Sequence, residues 1–66
     1  MRIQVNGDSC ELPAPLSLQR LIQDLALPHE RVAIELNQLV IRREEWPVTE
    51  LNDGDRIEIV HFVGGG

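Results

Sequence analysis

At 66 residues, with 42% apolar and 26% charged side chains, the chain has the composition of one small globular domain, which argues against disorder and leaves room for one modest core. Eleven acidic residues against six basic give a formal net charge of −5, and the one clustered basic pair, Arg42-Arg43, is cancelled at once by Glu44-Glu45, so a basic or mixed protein surface is the expected partner and nucleic acid is not. A single cysteine, Cys10, excludes an intrachain disulfide, and no apolar run reaches the roughly 20 residues of a membrane span, so the expectation is a cytoplasmic protein with no membrane partner.

Ile3 and Val5 alternate with Arg2 and Gln4, the period-2 pattern of a half-buried strand. Asn6-Gly7 tolerates positive φ at both positions and predicts a tight hairpin. Cys10 and Leu12 then alternate with Ser9 and Glu11, which puts Ile3, Val5, Cys10 and Leu12 on one face, with Met1 beside them. Pro13 and Pro15 end the strand, since neither can donate to a ladder. Ser17 stands where a helix N-cap is needed, although Arg20 occupies the place of the Glu or Gln of a capping box. Leu18, Leu21, Ile22 and Leu25 recur at i, i+3, i+4 and i+7, one helical face that reads as core. Gln19, Arg20, Gln23 and Asp24 take the wet side, and Pro28 requires the helix to have ended by Leu27.

Val32, Ile34 and Leu36 alternate with Ala33 and Glu35 in a third strand that ends at Asn37-Gln38. Leu39, Val40 and Ile41 form a short fourth strand. Arg43-Glu44-Glu45-Trp46-Pro47 predicts an irregular or single-turn segment whose tryptophan covers one edge of the core. Asn52-Asp53-Gly54-Asp55 is a turn in which Gly54 supplies positive φ. The last strand runs from Arg56 to about His61, with Ile57 and Ile59 inward and Val60 and Phe62 on the opposite parity. One amphipathic helix can cover only one side of a mixed sheet, and a right-handed crossover makes the first and last strands parallel central neighbours. The predicted fold class is α+β: a β-grasp, ubiquitin-like, with a four- to five-stranded mixed sheet covered on one face by the helix.

The last strand runs directly into Gly64-Gly65-Gly66. Glycine is the costliest residue to order and has no side chain to pack, so this run is a poor end for a fold and a good thin tail. The expected division is a β-grasp domain over residues 1–63 and a flexible tail over 64–66. Such a tail can carry a terminal carboxylate, ionised at neutral pH, into a slot too narrow for a Cβ. The alternative is a frayed terminus of no consequence.

The stretch Val32-Ala33-Ile34-Glu35-Leu36-Asn37, then Val40, Arg42 and Trp46, then Asp53-Gly54-Asp55 with Ile57-Glu58-Ile59-Val60, and finally the Gly-Gly end resemble the sulfur-carrier proteins of thiamin biosynthesis. The chain departs from that pattern at Ile41, where many relatives carry Pro, and at Gln38-Leu39, where Gly is common. The resemblance implies that an adenylyltransferase, a ubiquitin-activating-like enzyme using ATP, adenylates the carboxylate of Gly66. Sulfur from a cysteine desulfurase or relay protein then displaces AMP to leave a thiocarboxylate, and thiazole synthase takes up that sulfur. The carrier itself binds no cofactor and is not an enzyme. Gly66 carries the sulfur, Gly65 and Gly64 thread the tail, and Val60 and Phe62 contact a partner from the open sheet face. Phe62 folding back over a sheet edge is the alternative for that residue.

Cys10 reads as a small buried hydrophobe by its inward parity. His29 and His61 are too far apart in sequence to suggest a metal pair, and Ser17, the histidines and the aspartates form no triad. Three other functions fit the same features: the small subunit of molybdopterin synthase, a ubiquitin-like protein modifier, and an interaction module with an inert tail. The short helix-to-strand connection and the Val-Ala-Ile-Glu-Leu-Asn stretch favour the thiamin carrier over the first of these.

Overall fold

Strands β1 (Arg2–Val5) and β2 (Asp8–Glu11) are joined by Asn6 and Gly7 alone. Their φ values of 51° and 87° make the turn type I′, whose twist matches that of the flanking strands. The register pairs Ile3 with Cys10 and Val5 with Asp8, so Ile3 is buried and Cys10 half-buried against the same core. The computed structural model describes residues 1–13 and 15–61.

Helix α1 (Leu18–Asp24) starts at Ser17, whose Oγ accepts the Arg20 N–H at 3.1 Å. It buries Leu18, Leu21 and Ile22. It has ended by Leu27, as Pro28 requires, and its own backbone sets the stop. The Ala26 N–H donates to Gln23 O at 3.0 Å and the Leu27 N–H to Ile22 O at 3.2 Å, with Ala26 left-handed at φ 57°. This is a Schellman termination, and it closes the helix before Pro28 exerts any effect. Leu25 is already the C-cap, past the packed face, and is 42% exposed. The fourth position of the stripe is therefore not core.

A 3₁₀ turn, His29–Arg31, which the sequence did not signal, leads into β3 (Val32–Leu36). Asn37 and Gln38, with φ of 52° and 73°, make a second two-residue turn into β4 (Leu39–Ile41). The segment Arg43–Val48 is 3₁₀, buries Trp46, and satisfies the indole by donating Nε1–H to Ile41 O at 3.0 Å. The final strand, β5 (Arg56–His61), completes a five-stranded sheet ordered β2-β1-β5-β3-β4. β1 and β5 are parallel, and β3 runs antiparallel to both β4 and β5. This is the β-grasp arrangement, with the helix on one face.

The core comprises Ile3, Leu18, Leu21, Ile22, Val32, Ile34, Trp46, Leu51 and Ile57. Leu51 has no periodic context and owes its place to backbone pairing. Its N–H donates to Leu16 O at 2.9 Å and the Leu18 N–H donates to Thr49 O at 2.8 Å. These two bonds stitch the entry of α1 to the loop that precedes β5.

Candidate functional site

Strand β5 is held along its whole described length, and each hold has a separate cause. At its base lies Asp55, which is buried. Its Oδ1 accepts from Asn37 Nδ2 at 3.0 Å and its Oδ2 accepts from the Asn52 N–H at 2.7 Å. Asn37 in turn accepts the Arg56 N–H at 3.0 Å through Oδ1 and donates its own N–H to Arg56 O at 2.8 Å. A buried carboxylate is tolerable only when its oxygens are engaged in this way. The effect is to fix the first residue of β5 to the β3–β4 turn.

Along its middle, β5 pairs with β3 from Leu36↔Ile57 to Val32↔His61, and with β1 only at Gln4↔Arg56 and Val5↔Ile57. Beyond Val5 the chain turns away, and Asn6 takes over. Its Oδ1 accepts the Ile59 N–H at 2.7 Å, Nδ2 donates to Ile59 O at 3.4 Å, and the Asn6 N–H donates to Ile57 O at 2.8 Å. One amide side chain thus substitutes for the missing strand neighbour. Sequence reasoning found Asn6 as a turn former and missed this second role, because its partner lies 53 residues away.

At the top, β5 delivers His61 opposite Val32. The sequence-predicted site residues Phe62, Gly64, Gly65 and Gly66 lie outside the described residues. Val60 lies within them and is 52% exposed, on the sheet face opposite the helix. It pairs with Ala33, the next pair on the same face is Glu35↔Glu58, and Val40 flanks Glu35 on the other side with 70% exposure. The open face therefore presents an apolar patch around two adjacent carboxylates. Like charges directly opposite on a sheet are mutually destabilising. Among the described residues neither Glu35 nor Glu58 forms an ion pair; the acidic partners engaged are Glu11, Asp24, Glu30 and Glu44. Glu44 is held below the usual carboxylate range, first by its own backbone N–H at the start of the 3₁₀ segment and next by the Arg42 charge.

Cys10 and the two histidines do not converge: Cys10 pairs with Ile3 on β1, His29 opens the 3₁₀ turn, and His61 ends β5. Among the described residues no group of three or more His, Cys, Asp or Glu side chains is placed to hold a metal ion. Among the described residues no helix is long and apolar enough to cross a membrane. What these residues build is a platform: a fixed strand with an open face beside its end, two residues ahead of the glycine run in sequence.

Residues 3–66 match the ThiS family. The chain is 38% identical to the sulfur carrier protein ThiS of Bacillus subtilis, over 97% of this chain and 98% of that one. It is also 38% identical to a thiazole synthase of Magnetococcus marinus, where all of this chain aligns with only 20% of the longer protein. The crystal structure of the thiamine biosynthesis protein ThiS from Geobacter metallireducens superposes with a TM-score of 0.86, at 35% identity and full coverage of both chains.

Proposed function

The chain belongs to the ThiS family, and on that premise we propose that it is a sulfur carrier of thiamin biosynthesis whose reactive group is the C-terminal carboxylate of Gly66. The observation that carries this reading is that the family match runs to residue 66 and takes in the glycine run that follows β5. In the proposed sequence an adenylyltransferase joins the carboxylate to the α-phosphate of ATP and releases pyrophosphate. The terminal sulfur of a persulfide carried by a cysteine desulfurase or relay protein then attacks the acyl carbon and expels AMP to form an acyl disulfide. A second thiol attacks the outer sulfur of that S–S bond, leaving the thiocarboxylate and a disulfide between the two thiols. Carboxylate is a poor electrophile until one oxygen leaves as part of AMP, and thiocarboxylate is the softer nucleophile of the two. Every catalytic step belongs to a partner, and this chain contributes binding and delivery.

Residues 1–63 would serve as the docking body and 64–66 as the thin segment entering the partner's active site. Val60 and Phe62 would contact the partner from the open face, where an exposed apolar side chain beside a reactive terminus suits a docking contact. The match to a segment of the Magnetococcus thiazole synthase supports thiazole synthase as the acceptor, and favours the thiamin pathway over molybdenum-cofactor assembly. The test is ATP–pyrophosphate exchange with the activating enzyme, comparing the intact chain with one lacking Gly65 and Gly66. Exchange that depends on the two glycines, with thermal unfolding unchanged, supports the proposal. Equal exchange by both proteins overturns it.

A further inference from the structure

On the helix side, away from the open sheet face, α1 and the segment Arg43–Val48 diverge around a cavity of about 260 Å³. The buried Ile22 and Trp46 form its floor, Leu27 is the half-buried apolar residue on its wall, and its polar groups are Gln19, Gln23, His29 and Arg43. Each of those four side chains can donate a hydrogen bond. No carboxylate lines the cavity, in a chain where acidic residues outnumber basic ones eleven to six. Glu30 lies close by, with its carboxylate 3.5 Å from His29 Nε2, but it is not on the lining.

Arg43 is held in place for a ligand. Its guanidinium carbon lies 5.6 Å from the centroid of the Trp46 ring, and one Nη reaches Val32 O at a long 3.5 Å. A guanidinium at this distance over an aromatic face is attracted by the ring quadrupole and keeps its other N–H groups available to donate. Arg2, Arg20 and Arg42 each engage a carboxylate, whereas Arg43, like Arg31 and Arg56, forms no ion pair among the described residues. Gln19 and Gln23 sit one helical turn apart on α1 and make no side-chain hydrogen bond among the described residues. The two glutamine amides and the remaining N–H groups of Arg43 converge on a partly apolar hollow.

We infer that this cavity binds a small organic anion: a phosphate ester or carboxylate attached to a flat apolar body. Arg43 takes the anion, with Gln19 and Gln23 as further donors and His29 beside them, and the half-buried Leu27, over a floor of buried Ile22 and Trp46, takes the body. The volume lies just under the roughly 300–1,000 Å³ of drug-sized pockets, which suits a ligand of modest size. This site goes beyond the carrier role and does not depend on it. Val60 is not on its lining.

The probe is phenyl phosphate, titrated into the full chain with benzylamine and inorganic phosphate as comparison arms. Trp46 is the single tryptophan and there is no tyrosine, so its fluorescence reports the site directly, alongside backbone amide and indole NMR shifts. The expected result is saturable binding of phenyl phosphate with shifts confined to residues 19–29 and 43–46. Inorganic phosphate binds at least about tenfold more weakly and benzylamine not at all, as loss of the apolar contact or of the charge match requires. Arg43→Gln weakens phenyl phosphate by about tenfold or more. Gln23→Glu, a change on an exposed helix position that leaves the fold intact, does the same by placing a carboxylate on the lining. If Arg43→Gln proves too unstable to titrate, Gln23→Glu decides. Unsaturable or scattered shifts, equal response to benzylamine, or unchanged binding by Gln23→Glu overturns the inference.

Discussion

Removing the Asn6 side chain should loosen the last strand at the point where it leaves the sheet, far from the substitution in sequence. The Ile59 N–H to Asn6 Oδ1 bond at 2.7 Å is well formed, and the Nδ2 to Ile59 O contact at 3.4 Å is marginal. Together they are worth about 1 kcal/mol net. Asn6 also sits at φ 51°, a left-handed conformation that Asn tolerates and Ala resists by about 1–2 kcal/mol. Three substitutions separate these effects. Asn6→Asp keeps the acceptor for Ile59 and the tolerance of positive φ, and should stay within about 0.5 kcal/mol of wild type. Asn6→Gly keeps the conformation and loses the bonds, for about 1 kcal/mol. Asn6→Ala loses both, for about 2–3 kcal/mol, or roughly 10–20 °C in Tm for a domain of this size. Urea denaturation measures the series, and amide hydrogen exchange at Ile59 localises the effect. An Ile59 amide as protected in Asn6→Gly as in wild type would refute the claim that this side chain stands in for the missing strand.

Gln38→Gly should stabilise the fold by up to about 1 kcal/mol, because Gln38 holds φ 73° at the second position of a type I′ turn, where glycine is the favoured residue and its extra unfolded-state entropy only partly offsets the gain; a drop in the urea midpoint would contradict this. Asp55→Ala should cost about 2–4 kcal/mol by stranding the Asn52 N–H and Asn37 Nδ2, since hydrogen bonds to a charged acceptor are worth about 1.5–3 kcal/mol each and are not additive; thermal unfolding checks it. Val60→Lys, beside Glu35 and Glu58 on the same face, should leave stability within about 0.5 kcal/mol, as an exposed position allows, and weaken binding to the activating enzyme by tenfold or more, on the order of 1–2 kcal/mol. A binding titration beside chemical denaturation distinguishes this from a change in the fold.

The sheet and its order were legible because their signals are local and periodic. Alternation marked β1, β3 and β5, Asn6-Gly7 marked the first turn, and Ser17 with the leucine stripe marked α1. The failures come from positions whose state is set by tertiary context. Ala26 adopts a left-handed C′ conformation that alanine does not announce, so the helix ended before Pro28 and left Leu25 exposed. Leu51 joins the core through backbone pairing with Leu16 and has no periodic neighbours. Asp55 and Asn37 looked like ordinary turn residues, and only the folded chain brings them together beneath β5. At the site, parity correctly put Val60 on the open face. The glycine run was singled out by composition and by family resemblance, while the residues that hold its platform were not.

The central claim is that Gly66 carries sulfur as a thiocarboxylate. Its most direct test is the intact mass of the chain after incubation with ATP, the activating enzyme and a sulfur donor. The account predicts a mass gain equal to the exchange of one oxygen for one sulfur, mapped by fragmentation to Gly66 and reversed on transfer to thiazole synthase. An unchanged mass with all partners active, or sulfur found instead on Cys10, would contradict it.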